Sequence, residues 1–545
     1  MKACARVSHK TSLYPPKDAR VRRSCRYSLG LLTLLLLASA TGCTSWREYI
    51  ANGFKVGPNY CRPAVPVADQ WIDAGDTTLD TQRVDNAAWW RNFNDPVLDS
   101  LVASAYQQNL TLRVAGMRIL EARALRAIAA GELFPQSQQA FGDYSRIGLS
   151  KNGPYGMSSD RFYSDWTLGT SLAWELDFWG RFRRAIEAAD ANLDVSVESY
   201  DNVLVLLLSD VATSYLNVRV AEQRLAYARQ NVDIQRGSLK LAEDRLRHGA
   251  TTRLDVTQAM SAVAQTEATI PNLEAARRQA VNQLCVLLGV PPRSLDDLLA
   301  GASGIPNTPP QVAVGIPAEL LRRRPDVRQA EREVAAQSAL IGVAVSDLYP
   351  HFSISGTIYL DALKFEDLLD AGSVAGSVGP SFRWDILHYG RLANRVRAQE
   401  ARFYQLAIQY QNVVLRANAE AEDAIVGFLK TQQQVKWLLQ STDSARESVE
   451  LVSQQYREGK VDFNRVFDVQ ELLTQQQDQL AIAQGAVDQN LIQLYRALGG
   501  GWQIRLGEIP VAQTGPVPDQ PTQPAPFPTQ PTPAPPQPVP APPQA

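Results

Sequence analysis

The sequence is poor in the residues that build metal and catalytic centres. Among 545 residues it has only four histidines (His9, His248, His351 and His388) and five cysteines. None of the histidines sits in a ligand-type cluster, and no two cysteines have the spacing of a metal or redox motif. We therefore expect no enzyme activity, no metal and no cofactor. Lys and Arg total 54 against 56 Asp and Glu, so no basic excess supports nucleic-acid binding.

Long hydrophobic runs are also missing. The apolar run at residues 29–37 follows a basic stretch and is too short to span a bilayer. Small residues then lead into Gly42 and Cys43. This order predicts a lipoprotein signal peptide at residues 1–42, with Cys43 lipidated; the alternative is ordinary cleavage near Ala40. No other stretch is expected to form a transmembrane helix.

The chain contains an internal duplication. WELDFWGR at 174–181 returns as WDILHYGR at 384–391, RLRHG at 245–249 as QYREG at 455–459, and LCVLLG at 284–289 as LYRALG at 494–499. All three pairs keep the same spacing of 210 residues. One structural unit is therefore used twice. Its predicted order is strand, Gly-Arg turn, long helix, Gly turn and a second, antiparallel helix.

The predicted helices are unusually long. A helix is expected over 98–131, and residues 181–247 contain no proline and one glycine, which gives a helix of about 100 Å at ~1.5 Å per residue. Positions seven apart indicate a coiled-coil seam: Leu204, Val211, Val218, Leu225, Val232, Leu239 and Leu246, and in the second copy Val414, Ala421, Phe428, Val435, Thr442, Val449 and Tyr456. Gly249 and Gly459 are predicted to end the two long helices.

Long strands alternate apolar and polar residues. They are predicted at 161–178, 351–361 and 377–386, with a further strand within 132–160. Such alternation over ten or more residues is typical of transmembrane β-barrels; a soluble sandwich is the alternative. Four strands cannot close a barrel, and an open edge is not tolerated in lipid. The barrel must therefore be shared between subunits, and three chains would give about twelve strands.

Four segments resemble the TolC-like outer-membrane efflux factors, in particular their lipoprotein (NodT-type) branch: LLRRRPDVRQAE at 320–331, IGVAVSDLYP at 341–350, VGPNYCRPAVPVADQW at 56–71 and AAWWRNFNDPVLDSLV at 87–102. The resemblance implies a mainly α-helical fold with a transmembrane β portion. It implies a homotrimer whose twelve-stranded β-barrel continues into a long α-helical barrel, with two repeats per chain.

The resemblance also implies a function and a location. The protein would be a passive, gated conduit for small molecules (drugs, toxic compounds or metals), lipid-anchored in the outer membrane of a Gram-negative-type bacterium and extending into the periplasm. Its partners would be a periplasmic adaptor (membrane fusion) protein, an inner-membrane pump and outer-membrane lipid. The alternatives are a type I protein-secretion conduit and a structural surface coiled-coil lipoprotein.

The expected domains follow the repeats. They are a signal peptide at 1–42, a lipidated N-terminal segment at 43–97, a first efflux repeat at 98–300, a linker at 301–315, a second repeat at 316–510 and a Pro-rich disordered tail at 511–545.

The resemblance places the functional residues at the hairpin tips. The periplasmic gate would contain Asp255, Asp468, Arg465 and Asn464, with the carboxylates in rings that favour cations; otherwise they are ordinary solvated residues. Asp255 and Arg465 are equivalent in the repeat and opposite in charge, so we expect them within salt-bridge reach. The adaptor-docking tips would be Arg247, His248, Gly249, Arg457, Glu458 and Gly459. Arg322, Arg323 and Arg324 are expected to bridge helices or cap carbonyls.

Overall fold

The structure is a computed structural model that describes residues 46–81, 87–151, 161–302, 304–306, 308–309 and 311–507. The predicted leader, Cys43 and the Pro-rich tail lie outside the described residues. The helices are α1 (Trp46–Ala51), α2 (Pro96–Gln108), α3 (Leu110–Gly131), α4 (Arg181–Arg247), α5 (Arg253–Glu267), α6 (Ile270–Leu287), α7 (Asp296–Leu299), α8 (Leu320–Arg323), α9 (Pro325–Ser346), α10 (Arg391–Arg457) and α11 (Phe463–Ala497).

The strands are β1 (Leu79–Asp80), β2 (Ser137–Gly148), β3 (Phe162–Leu176), β4 (Val312–Ala313), β5 (His351–Ala362) and β6 (Val374–Arg383). Short 3-10 turns lie at Trp89–Phe93, Pro317–Glu319, Phe365–Asp367, Ala371–Ser373 and Trp502–Leu506.

The duplication is visible in the helices. α4 and α10 each have 67 residues, and their starts and ends differ by the same offset as the sequence motifs. Each follows a glycine in the left-handed region, Gly180 with φ 81° and Gly390 with φ 79°. A Cβ at Gly180 would lie 2.8 Å from the Lys55 Cα atom, so conformation and space both require glycine there.

Two helix predictions were wrong about continuity. The helix expected over 98–131 is interrupted at Asn109, whose Oδ1 accepts from the Leu112 N–H at 2.8 Å and whose Nδ2 donates to the Leu287 carbonyl at 2.8 Å. The side chain thus caps α3 and ties it to α6. The returning helix of the first repeat is also broken, between α5 and α6, whereas α11 runs unbroken.

β2, β3, β5 and β6 form one antiparallel sheet in that order. Ser137 pairs with Ala173, Trp166 with Ala362 and His351 with Arg383. The last strand was predicted at 377–386 and lies at Val374–Arg383, because its register is set by pairing with β5. Beyond it, the Trp384 indole donates to the Leu348 carbonyl at 3.1 Å.

The outer strands β2 and β6 each pair with one neighbour only. The apolar side chains of one face are exposed, as the alternation predicted; they include Leu168, Leu172, Ile358, Val378 and Phe382. A single chain therefore presents an open sheet with an exposed apolar face. The apolar face suits lipid, but the unpaired strand edges are not stable there unless other chains complete the sheet.

The coiled-coil seam forms the core through most of its length. Leu204, Val211 and Val218 are fully buried, as are Ala421 and Phe428 in the second copy. In the first copy the last seam position, Leu246, is exposed, whereas its equivalent Tyr456 in the second copy is buried. One window of α4 is long and apolar enough for a membrane span, contrary to expectation, but most of it is buried within the chain, as in the core helix of a water-exposed domain.

An N-terminal strap, defined here as residues 55–72, runs along the helices. Its backbone carbonyls at Val56 and Gly57 accept from Arg184, each at 3.1 Å. Farther along, Arg62 forms an ion pair with Glu331. Beyond the strap, β1 pairs in parallel with β4 of the linker. The described residues of the N-terminal segment therefore contribute ordered packing.

Candidate functional site

The tips of the two helical hairpins lie at the turns that follow α4 and α10. Gly249 has φ 69° and Gly459 has φ 74°, a conformation that favours glycine. The Gly249 N–H donates to the Leu246 carbonyl at 3.0 Å, and the Gly459 N–H to the Tyr456 carbonyl at 3.1 Å. The predicted helix ends at both glycines are confirmed.

Arg245 ties the two tips together. Its guanidinium donates to the main-chain carbonyl of Tyr456 and lies 4.6 Å from the centre of the Tyr456 ring. Tyr456 is buried and meets Phe463 edge-on, with ring centres 5.5 Å apart. The contact combines a charged hydrogen bond with a cation–π interaction. Sequence reasoning missed it, although the repeats differ here: Arg245 corresponds to Gln455.

Asp255 is half-buried beside this contact, and its carboxylate accepts a hydrogen bond from the Thr251 hydroxyl. Burial raises the pKa of Tyr456 above its usual value; Thr251 and Arg245 oppose the rise, and the negative charge of Asp255 adds to it. The buried Tyr456 hydroxyl makes no hydrogen bond of good geometry. Asp255 therefore lies close enough to Tyr456 of the second hairpin to act on its hydroxyl electrostatically.

The expected contact of Asp255 with Arg465 between packed hairpins stays a prediction, and within one chain the Asp255 carboxylate contacts Thr251 instead. Arg465 forms no ion pair among the described residues, and it is exposed, as are Asn464 and Asp468. The reason is helical phase, since Phe463 and Val466 take the inward positions at the start of α11.

The expected docking residues form the outer surface of the tips. Arg247, His248, Arg457 and Glu458 are exposed. Their partners are local: Arg247 pairs with Asp244, and Lys460 lies 2.5 Å from Glu458. This ion pair lowers the pKa of the Glu458 carboxyl. Local pairing leaves the tip surface open to a partner.

Arg324 confirms the structural interpretation of the arginine run. The buried guanidinium donates to the Ala497 carbonyl at the end of α11, at 3.0 Å. It also pairs with Asp326 and Glu420, each at 2.7 Å. It thus caps the end of α11 and bridges it to Glu420 of α10 and to the start of α9. Across the described part of the chain, no group of three or more His, Cys, Asp or Glu side chains is placed to hold a metal ion.

The profile of the outer membrane efflux protein family matches residues 101–290 and 316–500. The chain belongs to this family. It is an outer-membrane efflux channel of the kind that serves tripartite efflux systems, and the family is not enzymatic. Members form trimeric channels, and the protein is of the outer-membrane lipoprotein type that extends into the periplasm.

Individual relatives agree with this assignment. Nodulation protein T of Rhizobium leguminosarum bv. trifolii is 31% identical over 473 residues, which cover 87% of this chain and 98% of the relative. The pyoverdine export outer membrane protein OpmQ of Pseudomonas putida is 32% identical, over 78% of this chain and 91% of the relative. The solved channel OprN has a TM-score of 0.77 at 32% identity, covering 82% of this chain and 99% of OprN. The TolC-like fold with two repeats is thereby confirmed.

Proposed function

We propose that a homotrimer of this chain forms a passive conduit that is closed at the hairpin tips and opened by a periplasmic adaptor. The observation that carries the proposal is the open four-stranded sheet, which pairs on one side only at β2 and at β6. Three copies supply about twelve strands, enough for a water-filled lumen. The long helices then form a second tube on the same axis.

Exposed apolar side chains on two helices support this assembly. One row lies on α3 and includes Leu110, Val114, Met117, Leu120, Leu125 and Ile128; another lies on α10 and includes Tyr404, Ile408, Leu415, Trp437 and Leu451. Rows of this kind mark protein interfaces. Since α3 and α10 belong to different repeats, the natural occupant of each row is a neighbouring copy of the chain.

The gate we propose is the contact of Arg245, Tyr456 and Asp255. It joins the first hairpin to the second within one chain, so the tips cannot separate until it breaks. Asp255 and Asp468 would each form a ring of three carboxylates around the constriction, which favours cations. The exposed Arg465 and Asn464 are then free to contact a neighbouring copy across the same opening.

The exposed tip residues are the proposed docking surface for the adaptor, which connects the channel to an inner-membrane pump. The set is Arg247, His248, Gly249, Arg457, Glu458 and Gly459. The pump would supply the energy and select the cargo. Relatives are named for pyoverdine export, cation efflux and solvent efflux. We propose that the cargo here is likewise a small molecule. The proposed domains are those given by the repeats, at 98–300 and 316–510.

The proposed lipid anchor on Cys43 fits the position of α1. Tyr49 of this helix is buried, and its hydroxyl donates to the Phe178 carbonyl at 2.6 Å, where β3 ends and α4 is about to begin. Trp46 is exposed at the same end. α1 therefore begins near the strands that we propose to lie in the membrane, where a lipid anchor on the preceding chain would insert.

Ion selectivity in planar bilayers tests the gate proposal. Replacing Asp255 and Asp468 with alanine should raise the resting conductance of the purified protein and lower its preference for cations. Replacing the exposed Glu450 on α10 with glutamine is the matched control and should change neither property. Unchanged conductance and selectivity in the double variant would overturn the gate assignment and leave the assembly proposal intact.

A further inference from the structure

A cavity of about 400 Å³ lies between the two hairpins of one chain. Its walls come from α4, from the broken pair α5 and α6, and from α11. It sits at the break between α5 and α6, where Thr269 faces it. The break, which a continuous coiled coil would not contain, opens space between the helices.

The duplication supplies an internal control. The cavity is lined by Ala262 and Thr266 of α5, both nearly buried. The equivalent positions of the second repeat are Leu472 and Gln476, on the unbroken α11. The first repeat therefore has a break and small side chains where the second has a continuous helix and large ones. The helix break and the two small residues at the cavity thus belong to the first repeat and have no counterpart in α11.

The interior contains a buried acceptor without a donor. Asn231 is satisfied, since its Nδ2 donates to Gln477 Oε1 at 2.8 Å. Gln235, one turn farther along α4, also lines the cavity, is 4% exposed, and its Oε1 has no hydrogen-bond partner. A buried polar atom without a partner is destabilising. Rotation of this amide towards the cavity would let a bound N–H group satisfy it.

The remaining lining favours an amphipathic molecule with positive charge. Tyr227 and Phe467 provide apolar and aromatic wall. At the rim, Arg224 is fully engaged with Asp478, through Nε at 2.7 Å and Nη2 at 3.1 Å. Glu471 is the remaining charge, with only an amide contact from Gln475. The uncompensated charge of the lining is therefore negative.

We propose that this cavity is a binding site for a small amphipathic amine, with the apolar body against Tyr227 and Phe467 and the amine directed to Gln235 and Glu471. The volume lies in the range of small-molecule sites, and the mixture of an apolar wall with a few polar groups is typical of them. The site lies in the wall between hairpins and is separate from the gate contact at the tips.

The test uses the purified full-length protein in detergent and dansylcadaverine, a fluorescent primary amine with an apolar ring system. Its fluorescence should contain a saturable component above the linear background of micelle partition. Ala262→Leu installs the side chain of position 472 and should weaken saturable binding by at least about tenfold. Ala264→Leu, an equal change on the exposed side of α5, should leave it unaltered.

Two further variants keep the test decisive. Thr266→Gln installs the residue of position 476 and should weaken saturable binding by a similar factor, so an assembly defect in one variant does not decide the outcome. Gln235→Leu should weaken binding about fivefold, as expected for one lost hydrogen bond. Saturable binding of unchanged affinity in both filled variants would overturn the proposal, as would the absence of saturable binding in the wild type. Bilayer conductance is measured separately, so neither result bears on the conduit.

Discussion

The guanidinium of Arg245 in the first repeat lies 4.6 Å from the ring centre of Tyr456 in the second, and it donates to the main-chain carbonyl of the same residue. The two residues are 211 positions apart in sequence. No other contact described at the tips joins the hairpins through a full charge. This pair is therefore the part of the gate whose removal should matter most.

Replacing Arg245 with alanine should open the resting channel. The variant loses a charged hydrogen bond, worth roughly 1.5–3 kcal/mol, and a cation–π contact worth about 0.5–2 kcal/mol. We expect resting conductance in planar bilayers to rise by about tenfold or more. Arg247→Ala is the matched control, since Arg247 is exposed and pairs only within its own helix. Equal conductance in the two variants would refute the role of Arg245.

Replacing Cys43 with alanine should abolish incorporation of radiolabelled palmitate. The prediction follows from the short apolar segment that ends at Gly42 and Cys43. Cys61→Ala is the control and should label normally. Palmitate incorporation that persists without Cys43 would show that the anchor is elsewhere or absent. Channel assembly should survive, because the barrel itself is embedded in the membrane.

The stability of the protein should depend on Asp488 in a pH-dependent way. This carboxyl is fully buried, accepts from the Thr308 hydroxyl on one oxygen and has no partner on the other. Burial raises its pKa to about 7, so the folded state favours the neutral form. The contribution of the neutral Asp488 carboxyl to the free energy of unfolding is complete below about pH 4. It is lost progressively as the pH rises to about 7, and it stays lost above that.

Asp488→Asn should therefore raise the thermal unfolding temperature at pH 8 and leave it nearly unchanged at pH 4. The gain at pH 8 corresponds to roughly 2–4 kcal/mol, since each pKa unit is worth about 1.4 kcal/mol. The exposed Glu450→Gln should show no such difference between the two pH values. A stabilisation that is the same at pH 4 and pH 8 would contradict the assignment.

Replacing Gly57 with alanine should destabilise the N-terminal strap. Gly57 has φ +83°, and a Cβ there would lie 2.4 Å from the Gly342 Cα atom of α9. Strain and overpacking of this kind cost about 1–3 kcal/mol. Gly75→Ala is the control, because no atom lies within 4 Å of its added Cβ. The unfolding temperature of the purified protein should fall in the first variant only; equal values would show that the strap does not contribute to stability.

Local sequence signals predicted the ends of some elements at the exact residue. The helix at 181–247 was predicted with its observed ends, because it lacks proline and its flanking glycines mark the turns. The break at Asn109 was missed since its amide is held by the Leu287 carbonyl, a contact 178 residues away. The last strand was misplaced for the same reason: its ends depend on the register with β5.

In the candidate site too, features set by local sequence were predicted and contacts between distant residues were missed. The tip glycines follow from local conformation and were predicted correctly, and Asp255 was placed at the tip. Its contact with Arg465 was inferred from equivalence in the repeat, which says nothing about helical phase. The sequence singled out Tyr456 as a seam position and Arg245 only as part of the repeated motif RLRHG, and neither signal predicted a contact between them. Their contact exists because two distant helix ends meet in space, and no periodic pattern encodes that.

The number of chains per particle tests the central claim most directly. Light scattering of the detergent-solubilised full-length protein, corrected for bound detergent, gives the protein mass of the particle. The open edges at β2 and β6 predict three copies per particle. A stable, folded monomer, in detergent or in water, would contradict the shared barrel and with it the conduit.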